Sequence, residues 1–179
     1  KPIFKATHGS HDHPLIIGSA KIPCFVIEDG RRILIQKGIT DALGFSVSSS
    51  SNKLIIFAKK KGMSSFMSKN ILDVLDNPIK VRCIGGQIAN GYEASILVDI
   101  CEAILFARDA GKLTTSQKNL AEQADILMRG LARVGIVALV DEATGYQESR
   151  TKDSLSIILE AFIAKELQPY TKTFPIDFY

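Results

Sequence analysis

Apolar and polar positions in this chain alternate with two distinct periods, and the longest helical one runs over residues 119–147, NLAEQADILMRGLARVGIVALVDEATGYQ. Leu120, Ala124, Leu127, Leu131, Val134 and Ala138 are separated by steps of four and three, which lays one stripe along a helix. From Gly135 to Val140 the polar face vanishes, so this stretch is expected to be covered on every side. Its β-branched text, GIVALV, would also suit a buried strand. Helix is preferred because the upstream period enters it unbroken and Gly145 offers a C-terminal stop. Ser116 is expected to start this helix.

Around that element the remaining pattern predicts short units. Residues 1–17, with Pro2 and Pro14, read as an extended arm. IPCFVIEDGRRILIQ places two β-rich runs around Asp29-Gly30, the signature of a hairpin with a type I′ turn. A short helix over 36–43 should close at Gly44, followed by a serine-rich loop over 45–52. A short apolar core bracketed by lysines comes next. Ser68 is placed to cap a helix reaching about Leu75, and Asn77-Pro78 to end it. Residues 79–84 and 87–92 form a second hairpin through Gly85-Gly86. A helix with Leu97, Ile100, Cys101, Ile104 and Leu105 on one face stops at Gly111. A last helix over 152–167 halts at Pro169, and KTFPIDFY trails off with aromatic residues. The sequence predicts an α+β protein: two β-hairpins and short helices in an N-terminal part, residues 1–113, packed on a helical part, residues 114–179, with one long central helix. There is no internal repeat.

Composition narrows the class without naming an activity. Of 179 residues, 46% are apolar and 23% charged, an ordinary globular balance rather than a disordered one. The net charge of +3 permits a nucleic-acid partner without demanding one. Cys24, Cys83 and Cys101 each sit in an apolar run, as buried free thiols of a reducing cytoplasm do. No apolar run reaches the length of a membrane span, and no secretory leader is visible. The chain opens on Lys1 rather than methionine, which suggests a trimmed or processed product.

Candidate chemistry is sparse. His8, His11 and His13 invite a metal, yet no cysteine or acid with ligand spacing completes a site. Asp141 and Glu142 follow the apolar run and could carry a shifted pKa, but no histidine lies after His13; a carboxylate paired with Arg133 or Arg150 is the favoured reading. Neither a G-x-S-x-G elbow nor a phosphate-binding G-x-x-x-x-G-K-[ST] occurs. No catalytic residue, cofactor or metal is therefore assigned, and an enzyme is the weakest of three classes. DNA binding is favoured on basic residues near one another in sequence: Arg31 and Arg32 on the first hairpin, Lys37 opening the next helix, and Lys53, Lys59, Lys60 and Lys61, with Gln36 beside Lys37 as an amide that could reach base edges. The alternative is a protein-interaction module that acts on a host or phage partner through the C-terminal helices, and the wide apolar faces of those helices lead to the expectation of a homo-oligomer.

RGLARVGIVALVDEATGYQ, with EAFIAKELQPYTKTFPIDFY, resembles the P-sixty-three-C domain, a family of bacterial, phage and prophage proteins. ATHGS, PLIIG, IPCFVIEDGRRIL and GYEASILVDICEAILFARDAG are similar to the portion that accompanies that domain, so the likeness covers nearly the whole chain. EDGRRILIQKGITDALG more loosely resembles the DNA-binding modules of phage antirepressors of the Bro-N and KilA-N type. His11, His13 and the serine loop depart from that pattern. The resemblance implies a setting, a cytoplasmic, mobile-element-associated regulatory protein, and no enzymatic reaction. It also implies that the domain continues beyond FPIDFY.

Overall fold

The computed structural model describes residues 1–45 and 52–171, with backbone alone from 168 to 171. In chain order it has β1 (Ile3–His8), β2 (Leu15–Ile17), β3 (Ala20–Ile22), β4 (Cys24–Ile27), β5 (Arg32–Ile35), α1 (Gln36–Ala42), α2 (Lys53–Lys59), α3 (Lys69–Asp76), β6 (Ile79–Arg82), β7 (Ile88–Glu93), α4 (Ser95–Asp109), α5 (Lys118–Thr144) and α6 (Ser154–Thr171). The protein is α+β: strands with short helices come first, and a helical region with one long helix, 27 residues in α5, comes last. The chain divides into two compact units, Lys1–Asp125 and Ile126–Tyr179.

In the first unit, β1, β4, β5, β7 and β6 close a five-stranded barrel. Its interior follows the strand period of two: Phe25 and Ile27, Ile33, Val81 and Cys83 are buried, with Phe4, Ala6, Ile35, Ile79 and Ala89 packed against them. α1 packs on β3, β5 and β7, α2 on α3, and α3 on α4. Tyr92, 1% exposed, donates its hydroxyl to the Leu75 carbonyl at 2.9 Å and ties β7 to the end of α3. Burial, with the charge of Asp76 adding, pushes this phenol up to about 12.

Both expected hairpins are present, but the first has a different turn. Only Gly30 has a positive φ, +88°, whereas a type I′ turn needs two such residues. Gly30 N–H donates to the Ile27 carbonyl and Ile27 N–H to the Arg31 carbonyl, the pattern of a type I turn followed by a glycine bulge. The second hairpin repeats it, Gly86 donating to Cys83 and Cys83 to Gln87. The N-terminal stretch is not a free arm. β1 pairs antiparallel with β4 and parallel with β6, because Phe4 and Ala6 turn inward and closure of the barrel gives them a core. β2 and β3 add a third hairpin across Gly18-Ser19, with Gly18 at φ +60°.

Several helix ends fall where the sequence places its signals. α5, however, begins at Lys118 and not at Ser116, because Thr114 and Gln117 form the starting box of a 3-10 turn over Thr115–Gln117 that precedes it. Ser68 accepts from Ile71 N–H at the start of α3. Gly44 and Gly111 take positive φ after α1 and α4, and the residue after each donates back to the helix, Phe45 to Thr40 and Lys112 to Ala107, as a Schellman ending requires. Gly145 stops α5 at φ +77°. α6 departs from expectation by continuing through Pro169 to Thr171, since proline removes one hydrogen bond without forbidding helical φ. The serine-rich segment 46–51 and the tail 172–179 lie outside the described residues.

The second unit overturns another expectation. Gly135 to Val140 is helical, as preferred, yet it is not covered on every side: Ile136 is 59% exposed, Leu139 64% and Val140 52%. α6 covers one flank only, with Leu159 and Phe162 packed so close to Gly130 that an added Cβ would lie 2.8 Å from Leu159 Cδ1. The guanidinium groups of Arg129 and Arg133 lie over the Phe162 ring, at 5.7 and 5.0 Å. Asp141, 8% exposed, accepts from Arg150 at 3.0 Å, the bland pairing that its position suggested.

Candidate nucleic-acid interface

α2 has seven residues, with Lys53, Ile56 and Phe57 on adjoining positions of one face by the helical period, and Lys60 follows it as an extended C-cap residue. This face lines an open cleft of about 790 Å³ together with Gly44, Phe45 and Gly62, and with Lys112, Thr114, Ser116, Gln117, Asn119 and Leu120. The described lining carries Lys53, Lys60 and Lys112 and no acidic side chain. Its apolar part includes Ile56, 54% exposed, which lies along the chain between Lys53 and Lys60. Phe45 is half-buried and meets the Phe57 ring edge-on at 5.1 Å between centroids. Opposite α2, Thr114 N–H donates to Gln117 Oε1 at 2.9 Å and fixes the chain before α5 begins.

The remaining candidate residues are dispersed. Lys59 leaves the cleft face and pairs with Asp76 at 2.9 Å; Lys61 is exposed but does not line the cleft. Arg31 is held by Asp29 at 2.8 Å, has Glu93 4.0 Å away and lies 4.7 Å from the Phe4 ring centroid. Arg32 is exposed and donates to the Gly30 carbonyl. The hairpin rim is therefore mixed in charge: a shallow recess there holds Arg31 and Arg32 with Asp29 and Glu93. Gln36 is half-buried and Lys37 exposed in the first turn of α1.

Lys112 and the polar group from Thr114 to Asn119 escaped the sequence reading because they lie some fifty residues after α2. One local signal was available, the Thr114–Gln117 spacing of a helix-start box. Chemistry elsewhere is quiet. Cys83 and Cys101 are buried and Cys24 half-buried, all as free thiols; burial first, then the charge of Glu102, pushes the Cys101 thiol up to about 12, and burial raises that of Cys83. Among the described residues, no three His, Cys, Asp or Glu side chains are grouped to hold a metal ion, and no helix is long and apolar enough to cross a membrane. No family model matches this chain, and no curated protein or solved structure matches it.

Proposed function

We propose that this protein is a cytoplasmic nucleic-acid-binding regulator of the phage or mobile-element kind, acting without catalysis. The observation that carries the reading is the cleft whose described lining has Lys53, Lys60 and Lys112 and no acid. Lysines such as Lys60 and Lys112, in a cleft whose described lining holds no acid, concentrate phosphates, whereas Arg31 on the hairpin rim is held by a carboxylate. The resemblance of the ALVDEATGYQ segment to the P-sixty-three-C domain supports the setting, and the free thiols suit a reducing compartment.

Anisotropy titrations of labelled duplex DNA against salt test the reading. Affinity is expected to fall steeply with salt, and a Lys60→Ala, Lys112→Ala double variant to flatten the log–log slope by about 2, near one unit for each phosphate left without its lysine. Lys59→Ala should change it less, because that ammonium is engaged by Asp76. Binding that is absent or salt-insensitive for duplex and single-stranded DNA alike rejects the reading. A second reading, a helical module that assembles with itself, is favoured by one observation: Ile136, Leu139 and Val140 stand bare along α5.

A further inference from the structure

We infer that the cleft takes an unpaired nucleic-acid strand in preference to a duplex, with phosphates at Lys53, Lys60 and Lys112 and a base face against Ile56 and Phe45. The inference rests on the nucleic-acid reading above and names the partner of the same cleft. Lysines alone would suit any polyanion, since a phosphate backbone is the same in either form. The discriminating feature is the apolar surface among them. Ile56, 54% exposed, is set between Lys53 and Lys60, and the half-buried Phe45 ring shares the cleft. A duplex keeps its base faces stacked inside and offers only edges and phosphates, so it leaves this surface unsatisfied. An unpaired nucleotide offers a charged phosphate and an apolar base face together, the combination that single-strand sites bind. The volume, about 790 Å³, is enough to admit a single base beside its phosphate, whereas a double helix can offer this open cleft only phosphates and base edges. An acidic peptide with an apolar anchor shares part of this chemistry and is the competitor that the test must separate.

The test compares a labelled twelve-nucleotide thymidine strand with a duplex of equal phosphate number at one salt concentration, using the whole chain. Expected is tighter binding of the strand by about tenfold or more, matching the contribution of a single stacked base. Ile56→Ser should remove most of that preference by weakening strand binding more than duplex binding; Phe45→Leu should weaken strand binding to a smaller degree. The Lys60→Ala, Lys112→Ala variant should flatten the salt slope for both ligands. Circular dichroism confirms that each variant keeps its helix content. Equal affinities for strand and duplex, or an Ile56→Ser variant that keeps the preference, overturns the inference while leaving the nucleic-acid reading standing. Failure to bind either ligand overturns both. Displacement of the strand by a glutamate- and leucine-containing peptide at lower concentration than by unlabelled strand also overturns it, in favour of a protein partner.

Discussion

Tyr92 shows how one side chain can connect fold and pH. Its hydroxyl is buried with a single acceptor, the Leu75 carbonyl, so ionising it would strand a charge beside Asp76. The unfolded chain gives up this proton near 10.0 and the folded chain near 12. Between those values the unfolded state holds fewer protons, so the contribution to stability, complete below about pH 10, is lost as pH rises through the window. Tyr92→Phe should cost about 1 to 2 kcal/mol near pH 8, because the Leu75 carbonyl loses its partner. It should also remove the tyrosine's share of the alkaline loss. Urea unfolding of both proteins at about pH 8 and about pH 11 reads this directly: the gap between them should narrow at the higher pH. A gap that stays constant would place the phenol in solvent. Cys83 and Cys101 have raised pKa values too, but they are present in both proteins and cancel in the difference.

Glycines divide the elements into those that need closeness and those that do not. Gly38 brings α1 against β3, and a Cβ there would lie 2.7 Å from Ile22 Cγ2 and 2.8 Å from its Cα. Backbone cannot move aside like a flexible side-chain tip. Gly38→Ala is therefore expected to destabilise by about 1 to 3 kcal/mol despite a gain in helix propensity of about 1 kcal/mol. Gly135 meets nothing within 4 Å, so Gly135→Ala should raise stability by about 0.5 to 1 kcal/mol. Thermal melts of the pair should move in opposite directions; a neutral Gly38→Ala would mean that α1 does not sit on Ile22. Elements of this kind were legible where the signal is local: the glycine-bearing hairpins, the Ser68 cap, and the four-and-three spacing of α5 against its strand-like GIVALV text. What failed to show was non-local. β1 reads as an arm because its partners include a parallel strand more than seventy residues away, and no neighbour in sequence encodes that pairing. The lysines were grouped by sequence, but the course of α2 and its extended exit at Lys60 sort them: Lys59 pairs with Asp76, while Lys53 and Lys60 line the cleft.

Over the whole molecule, a net charge of +3 says less than where charge and apolar surface are left unmatched. In the first unit, the exposed pairs Arg31–Asp29, Lys59–Asp76 and Arg108–Asp109 cancel locally, and surface pairs of this kind add little to stability. The described cleft lining holds Lys60 and Lys112 and includes no acidic side chain. In the second unit the unmatched surface is apolar. Ala132, Ile136, Leu139 and Ala143 follow one another by four, three and four residues, the seam spacing of paired helices, with Val140 beside them, and each is exposed. Burial of such a seam releases roughly 25 cal/mol for each Å² removed from water, so a second copy of the chain is a natural cover at high concentration. Light scattering across a concentration series should then show mass rising above 19.5 kDa for the unaltered chain. The Ile136→Lys, Leu139→Lys variant should stay at the monomer mass. Because both side chains already face water, the substitutions should shift folding stability by only about 0.5 kcal/mol, so lost assembly with retained helix content assigns the interface to this seam. A wild-type mass fixed at that of one chain throughout the series would remove self-assembly and leave the seam to a different partner.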